Sequence, residues 1–219
     1  MNGNLKPAIA ELVGTFALTF IGGAAIANGQ AGLVGVAFAH GLTLMIMIYV
    51  LGAVSGTHVN SAVTLGLALG KQIAWSKAVV YWIAQFVGAI IAGFALLVIF
   101  ADPSAKTGFL GTPFLAANVS MTTGILLEAI LTFFLVLAVY GTAVDSRAPK
   151  GFAGLAIGLV LTMDILAGGP LTGAAMNPAR YLGTAVASGH LGEWLVYFIG
   201  PAIGAVVAWA VYTYGLAEK

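Results

Sequence analysis

Six apolar runs, each close to the length that crosses a bilayer, constrain this chain more than any other feature of it. A helix rises about 1.5 Å per residue, so about 20 mainly apolar residues are needed to cross ~30 Å of hydrocarbon. The stretches Ala8–Ala27, Gly32–Val54, Trp75–Phe100, Met121–Val144, Phe152–Ala167 and Leu191–Tyr214 meet that need, the fifth only if Gly168 extends it. They are too long and too uniformly apolar for the alternating strands of a membrane β-barrel. Composition closes off the other classes. With 61% hydrophobic and 7% charged residues, charges cannot cover a water-soluble surface or keep a disordered chain solvated. A net charge of +1 leaves no basic footprint for nucleic acid. Without cysteine there is no disulfide, thiolate metal site or cysteine nucleophile. The first run reads as a retained span rather than a cleaved signal, because Glu11 interrupts it and no clear small-residue cleavage site follows a basic start.

Short loops rich in Lys and Arg stay on the cytoplasmic side. Lys6, Lys71, Lys77, Arg147, Lys150 and Lys219 fall on one side of the six-span arrangement, and Lys106 on the other. Both termini are therefore expected in the cytoplasm, with the protein in the cell (plasma) membrane. The loop around Asp102–Ala117 and the connection after the fifth span then face outward. Two connections are unusual: Ser55–Gly70 and Gly169–Ser188 are too apolar for aqueous loops and too short to span as helices. Irregular backbone at membrane depth is tolerated only inside protein or beside a water-filled cavity, so function is expected there.

The two halves match at a shift of 117 residues, the separation of Glu11 from Glu128 and of Asn60 from Asn177. Each Glu precedes its Asn by the same 49 residues. Three spans per half is an odd number, so the second half must lie upside down relative to the first, about a pseudo-two-fold axis in the membrane plane. The expected fold is all-α: six transmembrane helices plus two re-entrant half-helices, in two inverted three-helix repeats. The half-helices meet N-terminus to N-terminus at the midplane. Asn is a favoured N-cap and Pro suits the next position, a pattern that Asn177-Pro178-Ala179 fits fully and Asn60-Ser61-Ala62 fits with Ser in place of Pro. An Asn whose oxygen caps a helix offers its NH2 as a donor, and two such donors facing one lumen would hold the oxygen of a passing water. Each half-helix adds about +0.5 charge at its N-terminus, which repels cations. A water oriented there interrupts the hydrogen-bond chain along which a proton would hop.

At these residues the chain resembles the aquaporin, or major intrinsic protein, family. The signature is Ser55-Gly56-x-His58-x-Asn60-x-Ala62-Val63-Thr64, with its partner Thr172-Gly173-x-x-Met176-Asn177-Pro178-Ala179-Arg180. The resemblance covers the whole chain, residues 1–219, as a single channel domain with repeats at about 5–101 and 120–216. It implies a right-handed six-helix bundle, assembled as a homotetramer with one pore per subunit. Ser61 stands where the family usually has Pro, a departure that leaves the cap and the half-helix intact. The resemblance also implies a selectivity ring near the outer mouth, formed by His40, Ile165, Ala174 and Arg180. That ring is more similar to the plant tonoplast intrinsic proteins than to orthodox water channels, which carry Phe and His at the first two positions. Ile165-Leu166-Ala167-Gly168-Gly169 is also tonoplast-like. Glycerol channels would show Trp and Phe in the ring and an Asp after the Arg, where this chain has Tyr181.

Single residues carry the rest. Arg180 at hydrocarbon depth is costly unless it faces a cavity or a partner. His40 is either a core histidine satisfied by a carbonyl or, as the resemblance implies, a ring member; His58 is implied to line the cytoplasmic half of the pore. Glu11 and Glu128 are expected to accept N–H bonds from the irregular segments that lead into the half-helices, where backbone has no other partner. His190 is expected to be solvated. Asp164, one position before Ile165 and about 100° around the helix from it, is left without an assigned role, an acid reaching for the outer surface being one reading of it. The function expected is passive passage of water, with ammonia a further candidate solute, through a protein that needs no cofactor. An ion- or proton-coupled transporter is the alternative that inverted repeats also permit. Neither metal-ligand spacing, nor a catalytic triad, nor a nucleotide loop points to an enzyme.

Overall fold

The computed structural model describes residues 4–100 and 109–218. In chain order its helices are α1 (Leu5–Ala27), α2 (Gly32–Ser55), α3 (Ser61–Leu69), α4 (Trp75–Ile99), α5 (Met121–Val139), α6 (Ala153–Thr172), α7 (Pro178–Ser188) and α8 (Trp194–Val211). A π-helical turn extends α5 through Tyr140–Val144 and another extends α8 through Tyr212–Leu216. The six long helices are each long and apolar enough to cross a membrane; α3 and α7 are the two short ones. Large apolar side chains point outward, Val98 at 76% exposure among them, as expected when the solvent is lipid. Lys106 and Lys219, which enter the orientation argument, lie outside the described residues.

The fifth span is longer than the sequence suggests. Gly168-Gly169-Pro170 reads as a breaker, yet α6 runs through it to Thr172. Pro170 forfeits one bond only two residues before the end, and Gly168 lets the helix close on α5, where an added Cβ would lie 2.5 Å from Leu131 Cδ1. The stop comes at Gly173, whose φ of 78° suits a residue without Cβ and whose N–H bonds Gly169 O at 2.9 Å. The last span begins at Trp194, three residues later than Leu191.

Within the first half α1 packs on α2 and α4; within the second α5 packs on α6 and α8. The halves lock together through α2 against α6, α3 against α8 and α4 against α7. Small residues set these approaches. A Cβ on Gly41 would lie 2.5 Å from Gly158 O, and one on Gly158 would lie 2.5 Å from Gly41 O, so α2 and α6 touch backbone to backbone. These two glycines are themselves related by the 117-residue shift.

Candidate permeation pathway

The pathway starts from backbone that needs help. After α2, Gly56 turns the chain with φ 85°, and Thr57 and Val59 follow at φ 49° and 42°. After α6, Gly173 is followed by Ala174 and Met176 at φ 45° and 51°. Left-handed conformations cost about 1–3 kcal/mol for residues bearing a Cβ, so something must hold them. Glu11 does so in the first half. Its Oε1 accepts from Ser55 Oγ (2.7 Å) and His58 N (2.9 Å), and its Oε2 from Val59 N (2.7 Å) and Gln85 Nε2 (2.8 Å). In the second half Glu128 Oε1 accepts from Thr172 Oγ1 (2.7 Å) and Ala175 N (2.9 Å), and Oε2 from Met176 N (2.7 Å). A bond to a charged acceptor contributes roughly 1.5–3 kcal/mol, so several together outweigh the backbone strain. Tyr81 donates to Ser55 O at 2.6 Å, and Tyr197 donates to Thr172 O at 2.7 Å.

Each held segment delivers an Asn to a helix N-terminus. Asn60 Oδ1 accepts from Ala62 N (2.8 Å) and Val63 N (3.4 Å); Asn177 Oδ1 accepts from Ala179 N (3.1 Å) and Arg180 N (3.3 Å). The amide nitrogens reach across the molecule. Asn60 Nδ2 donates to Met176 O and Asn177 Nδ2 donates to Val59 O, both at 2.9 Å. The expectation of two free NH2 groups therefore needs correcting: one hydrogen of each is committed to the opposite half, and one remains. Both Asn side chains border one narrow cavity of about 50 Å³, enough for water-sized occupants. Their neighbours do not. Ser61, Ala62 and Pro178 line a separate apolar groove with Trp82, Phe86 and Phe198, and Ala179 is buried.

His40, His58, Ala174 and Arg180 border the same narrow cavity as the two Asn. Ile165 borders a wider vestibule of about 360 Å³, beside Ile26, Leu33 and Phe114. Arg180 lines both spaces and so marks the passage between them. His40 Nδ1 lies 2.8 Å from Val36 O, and its Nε2 accepts from Arg180 Nε (3.2 Å) and lies 3.0 Å from Nη2. A carbonyl only accepts, so Nδ1 carries the proton and the ring is neutral. Arg180 Nη1 is buried without a protein partner. His58 Nδ1 lies 3.1 Å from Thr64 Oγ1, and its ring meets Tyr81 edge-on.

One sequence expectation fails, at His190, and the structure places Asp164, which the sequence left without a role. Asp164 is 1% exposed rather than at the surface, because it lies on the inward side of α6; its Oδ2 has no hydrogen-bond partner. His190 is half-buried, stacked on Phe109 at 4.3 Å with Phe114 edge-on, because the outer connection folds over it. Gln85, which bonds both Glu11 Oε2 and Thr64 Oγ1 (3.0 Å), was not singled out; an amide within an apolar span was the available signal. Among the described residues no group of His, Asp and Glu gathers where a metal ion could sit.

The arrangement offers a narrow file with two amide donors at its waist and a cation beside a neutral imidazole at one end. The profile of the major intrinsic protein family matches residues 2–212. The chain is similar to the probable aquaporin TIP2-1 of Oryza sativa subsp. japonica, 42% identical over 224 residues, covering 95% of this chain and 87% of the relative. It is similar to aquaporin NIP1-1 of Zea mays, 39% identical over 212 residues, covering 94% and 73%. Its structure superposes on that of the aquaglyceroporin from Plasmodium falciparum with a TM-score of 0.84 at 28% identity, over 97% of each chain.

Proposed function

The chain belongs to the major intrinsic protein family, and from that premise we propose that this multi-pass membrane channel passes chiefly water, with ammonia as a second permeant, and excludes protons and ions. The observation that carries the reading is the head-to-head pair of caps. Asn60 and Asn177 each bond the other half's backbone at 2.9 Å and border one file just inside the contact of His40 with Arg180. The second hydrogen of each amide is free for a water oxygen. A water held by two donors points its own hydrogens away from the waist, along the file in both directions. No water there can pass a proton onward, because its oxygen is already occupied as acceptor. Cations meet two helix N-termini and Arg180 and are repelled.

His40, Ile165, Ala174 and Arg180 are assigned as the selectivity ring and His58 as pore lining. Glu11 and Glu128 are assigned to support of the half-helices, which draws both carboxylates away from the file and weakens the coupled-transporter alternative. At the ring Ile165 offers no donor. Ammonia has a single lone pair, so a ring with fewer donors penalises it less relative to water. The same proposal takes residues 1–219 as one domain with repeats at about 5–101 and 120–216, both termini in the cytoplasm of the plasma membrane, and a homotetramer of independent pores.

Osmotic shrinkage of proteoliposomes tests it. Water efflux should far exceed that of empty vesicles, need no ion gradient and depend weakly on temperature. Rates equal to empty vesicles would end the water-channel reading. Lumenal alkalinisation on addition of an ammonium salt tests the second permeant in the same vesicles.

A further inference from the structure

We propose that Gly22 is a positioning residue for the constriction: its bare Cα forms the niche that holds the His40 imidazole back against α1, in reach of Arg180. The inference deepens the channel reading and rests on it. Leu18, Gly22 and Ile26 recur every four residues and so form one stripe of α1. Leu18 borders the narrow file and Ile26 the vestibule, so the stripe faces the pathway on both sides of the constriction. Gly22 lies between them, and what it faces is the imidazole. A methyl group built there would overlap the Nε2, Cδ2 and Cε1 atoms of His40.

The ring has little freedom to yield. Nδ1 is held by Val36 O one helical turn away at 2.8 Å, and Nε2 by the Arg180 guanidinium. To admit a Cβ on Gly22, the ring must release one of these partners and swing away from α1, toward the file it borders. Release of Nε2 would also return two Arg180 donors to the lumen. Packing of α1 does not by itself demand a glycine in this stripe. The positions equivalent to Gly22 and His40 in the second half are Val139 and Ile157, and both border the file with their side chains intact. Gly23, the next residue, serves a different approach, toward Leu96 and Leu110 O. Gly22 thus answers to the imidazole and not to the bundle.

Four forms in proteoliposomes test this: wild type, Gly22→Ala, His40→Ala and the double variant, with water permeability normalised to inserted channel. Gly22→Ala should lower permeability about tenfold, ~1.4 kcal/mol of added barrier. In the His40→Ala background the same change should have no effect, the non-additivity expected of two groups in contact. An equal loss in both backgrounds would assign the effect to helix packing and overturn the proposal, as would no loss in either. A second readout does not depend on conduction. The 15N spectrum of labelled histidine, with His40 identified by its disappearance in His40→Ala, should show one protonated and one accepting nitrogen in wild type. In Gly22→Ala the accepting Nε2 should shift or the tautomers mix; an unchanged spectrum overturns the proposal. If wild-type vesicles shrink no faster than empty ones, the water-channel reading falls and the nitrogen spectra alone decide the role of Gly22.

Discussion

The two halves of the molecule agree at the glutamates, turns and caps that hold the irregular backbone and differ at the contact of His40 with Arg180. At a shift of 117 residues Glu11 becomes Glu128, Ser55 becomes Thr172, Gly56 becomes Gly173 and Asn60 becomes Asn177. The bonds repeat with the residues, to within 0.1 Å for the Glu contacts with the hydroxyl and the two backbone amides. Along the file the correspondence holds at Leu18 and Leu135, at Leu44 and Leu161 and at the two Asn, and breaks at other positions. His40 is matched by Ile157, Arg180 by Val63 and Ala174 by Thr57. One end of the file has a cation against a neutral imidazole; the rest is lined largely by aliphatic side chains, with His58 among them. Irregular backbone at membrane depth leaves the same unsatisfied groups in either half, so its support must be made twice. On the proposed function, sites along a single file act in series, so one selectivity ring is enough.

The support is where a single change should do most damage. Leu at Glu128 leaves Thr172 Oγ1, Ala175 N and Met176 N without an acceptor, at about 1–3 kcal/mol each. Leu at Glu11 strands four donors. Both variants should lose the monodisperse peak in detergent gel filtration, Glu11→Leu at least as completely; a well-folded, conducting Glu128→Leu would show that the halves are not held alike. The caps come next. Asn60→Ala and Asn177→Ala each remove the same cap bonds and one bond to the other half, so their thermal midpoints should fall together, by an amount corresponding to about 1–3 kcal/mol. A clear inequality between the two would locate an asymmetry that the hydrogen bonds do not display.

Gln85 is an extra prop, since the second half has Pro201 at the matching place in its third span, where the shift is 116 residues. Gln85→Leu removes two bonds but also an unpartnered buried oxygen, so it should cost only about 1 kcal/mol and leave a folded channel, measured by the same thermal shift. The smallest effect is expected at the mouth. Ile165→His adds a donor beside Arg180 and should lower ammonia flux severalfold while water flux stays near wild type; equal loss of both would mean that Ile165 sets width rather than donor count.

Much of this was legible in the residues because lipid is a demanding solvent. A run of apolar residues long enough to cross it has few alternatives to a helix, and two runs of irregular, apolar sequence had to lie inside protein. The 49-residue spacing tied each glutamate to its asparagine before any contact was known. What stayed hidden depends on neighbours far along the chain. Gly168-Gly169-Pro170 has poor helix propensity, yet it is helical in the bundle, where Gly168 packs closely against Leu131 on α5. The place of Asp164 stayed open because its burial is set by packing around α6, which periodicity cannot report.

By itself, then, the sequence determined the solvent, the six spans, the duplication and the pair of capped half-helices, because each follows from local chemistry or from self-similarity. The tertiary structure alone decided that each Asn amide reaches the opposite backbone, that His40 lies against Gly22 with Arg180 on its far nitrogen, and that Ser61 and Pro178 turn to an outer groove. Such contacts join residues far apart in the chain and exist only once the bundle has closed. No local pattern encodes a distance across it.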